Sequence, residues 1–263
     1  MLSASGPFQG HLVKPSDHRE PQKIAWLQCV GSRDLNACDN GYCSSVCCMY
    51  ANKQAVIAKE HSDEELDTAI FFMDMRTFGK SFQRYRDRSE AAGVAFKRGR
   101  VHSVVPAPSG EDLQLRWVAT DGTVATDHAD LVVLSVGQRP AEGAQALTDM
   151  LGIERNPWGF VQTEAFSLTR TSQTGIVASG SFTGLKDISE SVIQASAAAC
   201  RAAGHVPGRT ESDPLESFPT ERYVTGEVDF AHRTCAETPL HAVLLVSGQR
   251  VVVRCAHGRE RDA

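Results

Sequence analysis

The stretch KIAWLQCVGSRDLNACDNGYCSSVCCMYANKQA, residues 23–55, decides how this chain is read. It opens on KIAWLQCVG, an apolar run that predicts a buried strand. Asp, Asn and Gly then crowd a loop, and a helix is predicted from about Ser44 to Lys59. Five of the chain's eight cysteines fall inside it: Cys29, Cys38, Cys43, Cys47 and Cys48. The other three (Cys200, Cys235, Cys255) lie far downstream. Thiolates gathered this closely suit a soft metal or an iron–sulfur cluster, because polarisable sulfur matches iron and zinc.

The spacing is Cys29-x13-Cys43-x3-Cys47-Cys48, with Cys38 an extra thiol inside the first gap. On a helix Cys43 and Cys47 share one face and Cys48 points elsewhere. If Cys43 caps the helix, the cluster lies at its positive end, where an anionic thiolate assembly is favoured. Three other accounts stand beside this one. A zinc site lacks its usual pairs of C-x2-C knuckles. A redox dithiol is poorly served by adjacent cysteines compared with C-x-x-C. Small cysteines also simply fill cores.

Working outward, 263 residues with 41% hydrophobic and 22% charged content describe an ordinary globular protein. A net charge of -5 argues against nucleic acid as the main partner. No apolar run approaches the roughly 18 residues of a membrane helix, and MLSASGPFQG lacks the regions of a signal peptide. The cytoplasm is the expected compartment, where clustered cysteines are more often metal ligands or redox groups than disulfides.

Residues 1–22 read as a linker. After the helix come a strand, AIFFMDMR, a charged helix around Phe82–Ala92 and a strand, VAFKRGRVHSVV. LQLRWVAT and DGTVATDHADLVVLSVG predict a hairpin turning at Asp121-Gly122, then a final apolar strand. Strands alternating with helices predict an α/β domain with a parallel sheet over residues 23–135. A second αβ piece, residues 136–205, holds the short strand TGIVASG and the helix SESVIQASAAACRAAG with its small-residue face. Residues 206–263 read as an irregular tail in which VLLVSGQRVVVRC forms at most a hairpin. In the first helix Val46, Met49, Tyr50, Lys53 and Ile57 share one face. A lysine within that apolar stripe either snorkels to water or meets something anionic, such as an electron-rich cofactor.

QCVGSRD, YCSSVCCMYANKQA, FFMDMRTFGK, LVVLSVGQRP and GIVASGSFTGLKDISESVIQASAAA together resemble the A-type component of heterodisulfide reductase and its relatives, from about residue 2 to residue 204. The resemblance implies an FAD and iron–sulfur electron-transfer protein. Its fold would be that of a thioredoxin-reductase-like flavoprotein with two dinucleotide domains. This chain would hold a degenerate NAD-type domain and the C-terminal half of the FAD domain. The resemblance assigns a [4Fe-4S] cluster to Cys29, Cys43, Cys47 and Cys48, leaves Cys38 out, and sets Lys53 near the flavin ring. The turn that carries G-x-G-x-x-G in an NAD domain here holds cysteines and the scattered Gly31 and Gly41. Direct use of NAD(P)H is therefore not expected.

For the flavin, the resemblance implies Gly137 at the crossing back to the FAD domain, then Gly180 and Ser181. Ser181 stands where such reductases carry an acidic residue. Lys186, Asp187 and Ile188 are implied against the ring or its chain, and the start of the Ser189–Ala203 helix is expected to favour the negative cofactor. Partners implied are the other subunits of a heterodisulfide reductase-like complex, with room for a homodimer. The glycine-rich first half of the FAD site is not found in the sequence, and FPTERYVTGE is not followed by the Cys-x-Cys expected of longer members. A truncated gene is the expectation, with weak FAD retention by this polypeptide alone. A zinc-stabilised interaction module and an inactive remnant are the rival readings.

Overall fold

The computed structural model describes residues 3–203, apart from positions 109 and 111, together with the dipeptide 245–246. The chain divides into two compact units, Met1–Gln138 and Arg139–Ala263.

In the first unit, β1 (Lys23–Val30) is buried at every position except its two ends. It pairs in parallel with β2 (Asp67–Phe72) on one side and β7 (Leu131–Val136) on the other. β3 (Val94–Arg98) completes a four-stranded parallel sheet of order β3-β2-β1-β7. Alternation along β1 sorts its side chains. Ile24 and Trp26 pack with Ile70, Val94 and the alanines of α1 (Cys47–His61). Ala25 and Leu27 pack with Phe71, Leu115 and Ala129 of the opposite layer. A strand covered on both faces has no room for polar alternation, which is why KIAWLQCV is apolar almost throughout.

The face α1 turns to the sheet is not the stripe the sequence suggested. Cys48, Ala51, Asn52, Ala55 and Ala58 are buried, whereas Tyr50 is 50% exposed and Lys53 is exposed. Of the expected stripe only Val46 is buried, with Met49 and Ile57 half-buried. Three alanines with no exposed surface bring the helix close to the sheet, and bulkier side chains are left outside.

The opposite layer is an antiparallel meander of β4 (Val101–Pro106), β5 (Leu113–Val118) and β6 (Val124–Ala129). One run that read as a single strand is broken, and the expected separation of the hairpin from the final apolar strand falls at Asp130. VAFKRGRVHSVV ends β3 and restarts as β4 across Gly99, where a Cβ would lie 2.6 Å from the Val118 carbonyl oxygen. ADLVVLSV is divided from β6 at Asp130, whose carboxylate accepts the N–H groups of Gln22 (2.8 Å) and Lys23 (3.0 Å) and so anchors the start of β1. The hairpin at Asp121-Gly122 closes on the pair Val118↔Val124. Residues 1–22 are more than a linker: Leu12 joins the core beside Ile24 and Trp26, and Pro21 is buried. The charged helix α2 (Phe82–Ala91) connects β2 to β3.

The second unit has a small core of Ile153, Val161 and Ala178, with Leu151, Ile176 and Phe182 against it. Its elements are α3 (Ala144–Leu151), β8 (Ile176–Val177), a 3-10 turn at Gly180–Thr183 and α4 (Ile188–Ala203). The first was not anticipated from the sequence. α4 buries Gln194, Ala198 and Ala203, and leaves Val192 and Ile193 exposed. Of the expected tail only β9 (Leu245–Val246) lies within the described residues, antiparallel to β8.

Candidate functional site

The loop between β1 and α1 is built from unusual backbone. The register between β1 and β7 shifts between Leu27 and Val30, and Cys29 sits in that bulge with φ 61°. Arg33 (56°), Asp39 (48°) and Ser45 (63°) are also left-handed without being glycine. Each such residue costs about 1 kcal/mol or more, so the surrounding bonds must hold it. They do. Asp34 and Asn40 exchange backbone N–H···O bonds at 2.9 Å each way. Arg33 N–H and Ser32 Oγ both donate to the Tyr42 carbonyl, at 3.0 and 2.9 Å. Asn40 Nδ2 donates to the Gly31 carbonyl at 2.8 Å, and Gln138 N–H donates to Ser44 Oγ at 3.0 Å. At Gly137 an added Cβ would lie 2.6 Å from the Gly31 carbonyl oxygen. That glycine lets the end of β7 close on the cysteine loop.

Cys43 does not cap the helix. α1 begins at Cys47, Val46 occupies the N-cap position without a side-chain cap bond, and the first turn holds no acidic residue. Cys43 Sγ instead accepts the Ser45 N–H at 3.3 Å. Cys47 and Cys48 therefore form the first turn itself, whose N–H groups favour negative charge.

The four thiols share one neighbourhood. Cys29, Cys43, Cys47 and Cys48 act electrostatically on one another in every pairwise combination. Burial pushes the Cys29 and Cys47 thiols upward, with their sulfur neighbours adding to it. Burial likewise raises Cys48 to about 11. Against this, the positive charge of Arg33 pulls the Cys29 thiol back down. Asp74 holds Arg33 through Nη1···Oδ1 at 2.5 Å and Arg76 through Nε at 3.4 Å. Burial works to raise Asp74, but the Arg33 hydrogen bond and charge hold its carboxyl below the usual range. The Asp74 backbone carbonyl also faces Cys48 Sγ at 4.0 Å.

Cys38 lines a cavity of about 240 Å³ together with Cys29, Leu27, Phe71, Arg100 and Val101. Among the described residues no three His, Cys, Asp or Glu side chains are gathered as a preformed metal-ion site. The donor chemistry, four cysteines on a strand end, a loop and the first turn of an uncapped helix, suits a soft metal or an iron–sulfur cluster. Lys53 is exposed on α1, away from the sheet.

The second unit carries the remaining expected residues, and its turn is organised differently. Gly180 has φ 69° and its N–H donates to Gln194 Oε1 at 2.8 Å. The same oxygen accepts from Thr183 Oγ1 at 3.2 Å, while Gln194 Nε2 donates to the Leu168 carbonyl at 2.6 Å. Ser181 lies within this turn. Lys186 folds back, its Nζ donating to Thr183 Oγ1 and the Gly184 carbonyl at 3.0 Å each. Burial pulls the Lys186 ammonium below its usual range. Asp187 accepts the Glu190 N–H at 2.7 Å, and Glu190 accepts the Asp187 N–H at 2.9 Å. This is a capping box. Two carboxylates thus occupy the start of α4 and satisfy the N–H groups of Asp187 and Glu190. Ile188 is half exposed beside them. Sequence reasoning missed Arg33, Asp74 and Gln194. Only Glu190, three residues after Asp187, left a readable signal.

A parallel sheet with a helix on one face and an antiparallel meander on the other, followed by a second αβ unit, defines a class. The family model for pyridine nucleotide-disulphide oxidoreductases matches residues 8–202. The chain belongs to that family of oxidoreductases, which supports FAD as its cofactor. More narrowly, it is similar to the second A-type iron-sulfur subunit of CoB–CoM heterodisulfide reductase in Methanopyrus kandleri, with 41% identity over 254 residues. It is also 38% identical over 256 residues to the A-type subunit of the H2:CoB–CoM heterodisulfide,ferredoxin reductase of Methanothermobacter marburgensis. Each match covers 94% of this chain and 37% of the relative, so the chain spans little more than a third of their length. A solved thioredoxin reductase of Lactococcus lactis aligns over 70% of this chain and 52% of that one, at a TM-score of 0.46 and 17% identity. No helix among the described residues is long and apolar enough to cross a membrane.

Proposed function

We propose that this chain is an electron-transfer segment of a heterodisulfide reductase A-like flavoprotein, in which Cys29, Cys43, Cys47 and Cys48 hold a [4Fe-4S] cluster. The carrying observation is that the four cysteines stand at one strand-to-helix junction, Cys29 in the bulge at the end of β1, Cys43 in the loop, and Cys47 and Cys48 in the first turn of α1. A cluster held there stores and passes single electrons, with FAD as the second redox group and partner subunits beyond it. The left-handed Cys29 and the polar braces of the loop orient the sulfurs, and the α1 N-terminus offers them N–H groups.

On the flavin side, Gly180 and Ser181 offer backbone approach through their turn, with Lys186, Asp187 and Ile188 beside it. Lys53 supplies positive charge toward a reduced, negative flavin, and Gly137 serves the approach of β7 to the cysteine loop. A reducing compartment such as the cytoplasm keeps these thiols available. Anaerobic reconstitution of the chain should load about four irons, with matching acid-labile sulfide. One equivalent of zinc and no iron would replace this reading with a zinc-stabilised module.

A further inference from the structure

We propose that α2 and the loop before it form a docking surface for an acidic protein segment, with Lys80, Arg84 and Arg88 meeting its carboxylates and Phe78 its apolar side chains. The inference goes beyond the reading above and needs no group bound at the cysteines.

Charge is divided unevenly along the chain. Residues 76–100 hold eight arginines and lysines against Asp87 and Glu90, a balance of +6 within a chain of net charge -5, so the remaining residues carry -11. The fold accounts for part of this excess. Arg86 pairs with Glu90 at 2.8 Å and lies 4.5 Å from the centre of the Phe96 ring, and Arg100 meets Asp34 at 2.6 Å. Lys80, Arg84 and Arg88 differ. All three are exposed, and among the described residues none of them has a carboxylate partner.

Local stability does not explain them either. α2 starts behind a left-handed Ser81 that makes no side-chain cap bond, and its first turn lacks an acidic residue. Arg84 sits in that turn, where a cation opposes the helix dipole. Arg88 follows one turn later as a like-charge neighbour. Together with Ser81 and Asp87, the two arginines line an open depression of about 520 Å³. Phe78 stands on the loop into the helix, 85% exposed and two residues from Lys80. That loop is braced: Thr77 Oγ1 donates to Gln83 Oε1 at 2.9 Å, and Phe82 N–H donates to the Gly79 carbonyl at 3.0 Å. At its start Asp74 binds Arg33 of the cysteine loop at 2.5 Å, so the surface adjoins the strand-to-helix junction. Arginines beside an exposed aromatic are the composition of a protein-binding centre. A long polyanion fits less well, because Asp87 and Glu90 interrupt the cations and the rest of the chain repels it.

The test is fluorescence anisotropy of the full chain, purified anaerobically, with a short labelled peptide of Glu, Asp and Leu. Wild type should bind, and the affinity should fall at least about tenfold between about 0.05 and about 0.3 M salt, as screening requires. Arg84→Glu combined with Arg88→Glu should weaken binding at least about tenfold, and Phe78→Ala at least about threefold. Arg116→Glu combined with Arg170→Glu makes the same change in net charge outside residues 76–100 and should stay within about twofold of wild type. Thermal melting followed by circular dichroism checks that each variant folds. If the paired α2 variant does not, Lys80→Glu decides, with at least about threefold weakening expected. No binding by wild type, binding that survives the α2 substitutions, or equal weakening in the control pair overturns the proposal. Tighter binding, lost with the same arginines, to a single-stranded oligonucleotide or to phosphatidylcholine vesicles containing phosphatidylserine also overturns it, assigning the surface to nucleic acid or to membrane. Iron content is not the readout, so failure here leaves the proposed function standing, and a chain that loads no iron leaves this surface standing.

Discussion

Two turns in this molecule have the same outline and opposite chemistry. In the first unit a strand runs through a loop into α1, and the helix starts bare, with Cys47 and Cys48 in its first turn and no side-chain cap. In the second unit a strand runs through a 3-10 turn into α4, and the helix starts closed, with Asp187 and Glu190 exchanging bonds. A bare helix start presents donors to a negative group, whereas a capping box has already satisfied them with protein carboxylates. Strand–turn–helix is therefore not one kind of site. The α1 start leaves its first-turn donors without a side-chain cap, while the α4 start has two of its donors met by carboxylates.

The largest effect expected from this contrast is on metal content. Replacing Cys47 and Cys48 together by serine should take iron from about four per chain to below one, because two of four ligands are gone. Cys38→Ser should leave it unchanged. Equal iron in both variants, measured after anaerobic reconstitution, would break the assignment of the bare turn.

Next comes the scaffold beneath that turn. Trp26 is almost fully buried under α1 and donates to Gln54 Oε1 at 3.1 Å. Trp26→Ala should cost roughly 3–5 kcal/mol. Hydrogen exchange resolved by segment should show the loss in residues 23–136 and leave α4 protected. A loss spread evenly over both units would show that the two turns do not belong to separately stable structures.

The closed turn should respond more modestly. Asp187→Ala removes the cap and should cost about 1 kcal/mol, read as faster amide exchange in the first turn of α4. Asp187→Asn retains an acceptor and should recover most of it. An Asp187→Ala chain with unchanged exchange at Glu190 would remove the capping role.

The smallest effect is a pH dependence confined to the first unit. Asp127 is pushed upward by burial, but its 2.6 Å bond to Lys97 and that lysine's charge hold it below the usual carboxylate range. A folded pKa below the unfolded value of about 3.9 contributes stability that is fully present above that pH. The contribution is lost as pH falls through the folded value. The stability gap between wild type and Asp127→Asn should therefore be widest near neutrality and shrink in acid. Denaturant midpoints at both extremes check this, and a constant gap would show that the carboxylate's charge contributes nothing.

The sheet was readable from sequence because strands buried on both faces leave long apolar runs. The break at Gly99 was not, since apolar residues continue on both sides and only the crowded Trp117–Val118 edge demands it. The exposed stripe of α1 looked like its core face because Met49, Tyr50 and Ile57 are larger apolar side chains than alanine. Closeness to the sheet selected the alanines instead. Arg33 and Asp74 meet across 41 residues of chain, a pairing that no local pattern announces. Asp187 and Glu190 were visible at capping spacing, but the lysine and glycines around them drew the reading toward a ligand.

The cysteine loop bonds largely to itself. Ser32, Asn40 and Ser44 bond to Tyr42, Gly31 and Gln138, and the strand and helix that the loop joins are an ordinary parallel strand and its covering helix. Such a segment behaves as a cassette: it can be lifted from one βα junction and set into another without rewriting the sheet below. Exchange of a glycine-rich phosphate turn for a thiol-bearing one then takes one local replacement plus a glycine at the neighbouring strand's end. The chemistry of a βα junction can thus change while the sheet beneath it stays the same.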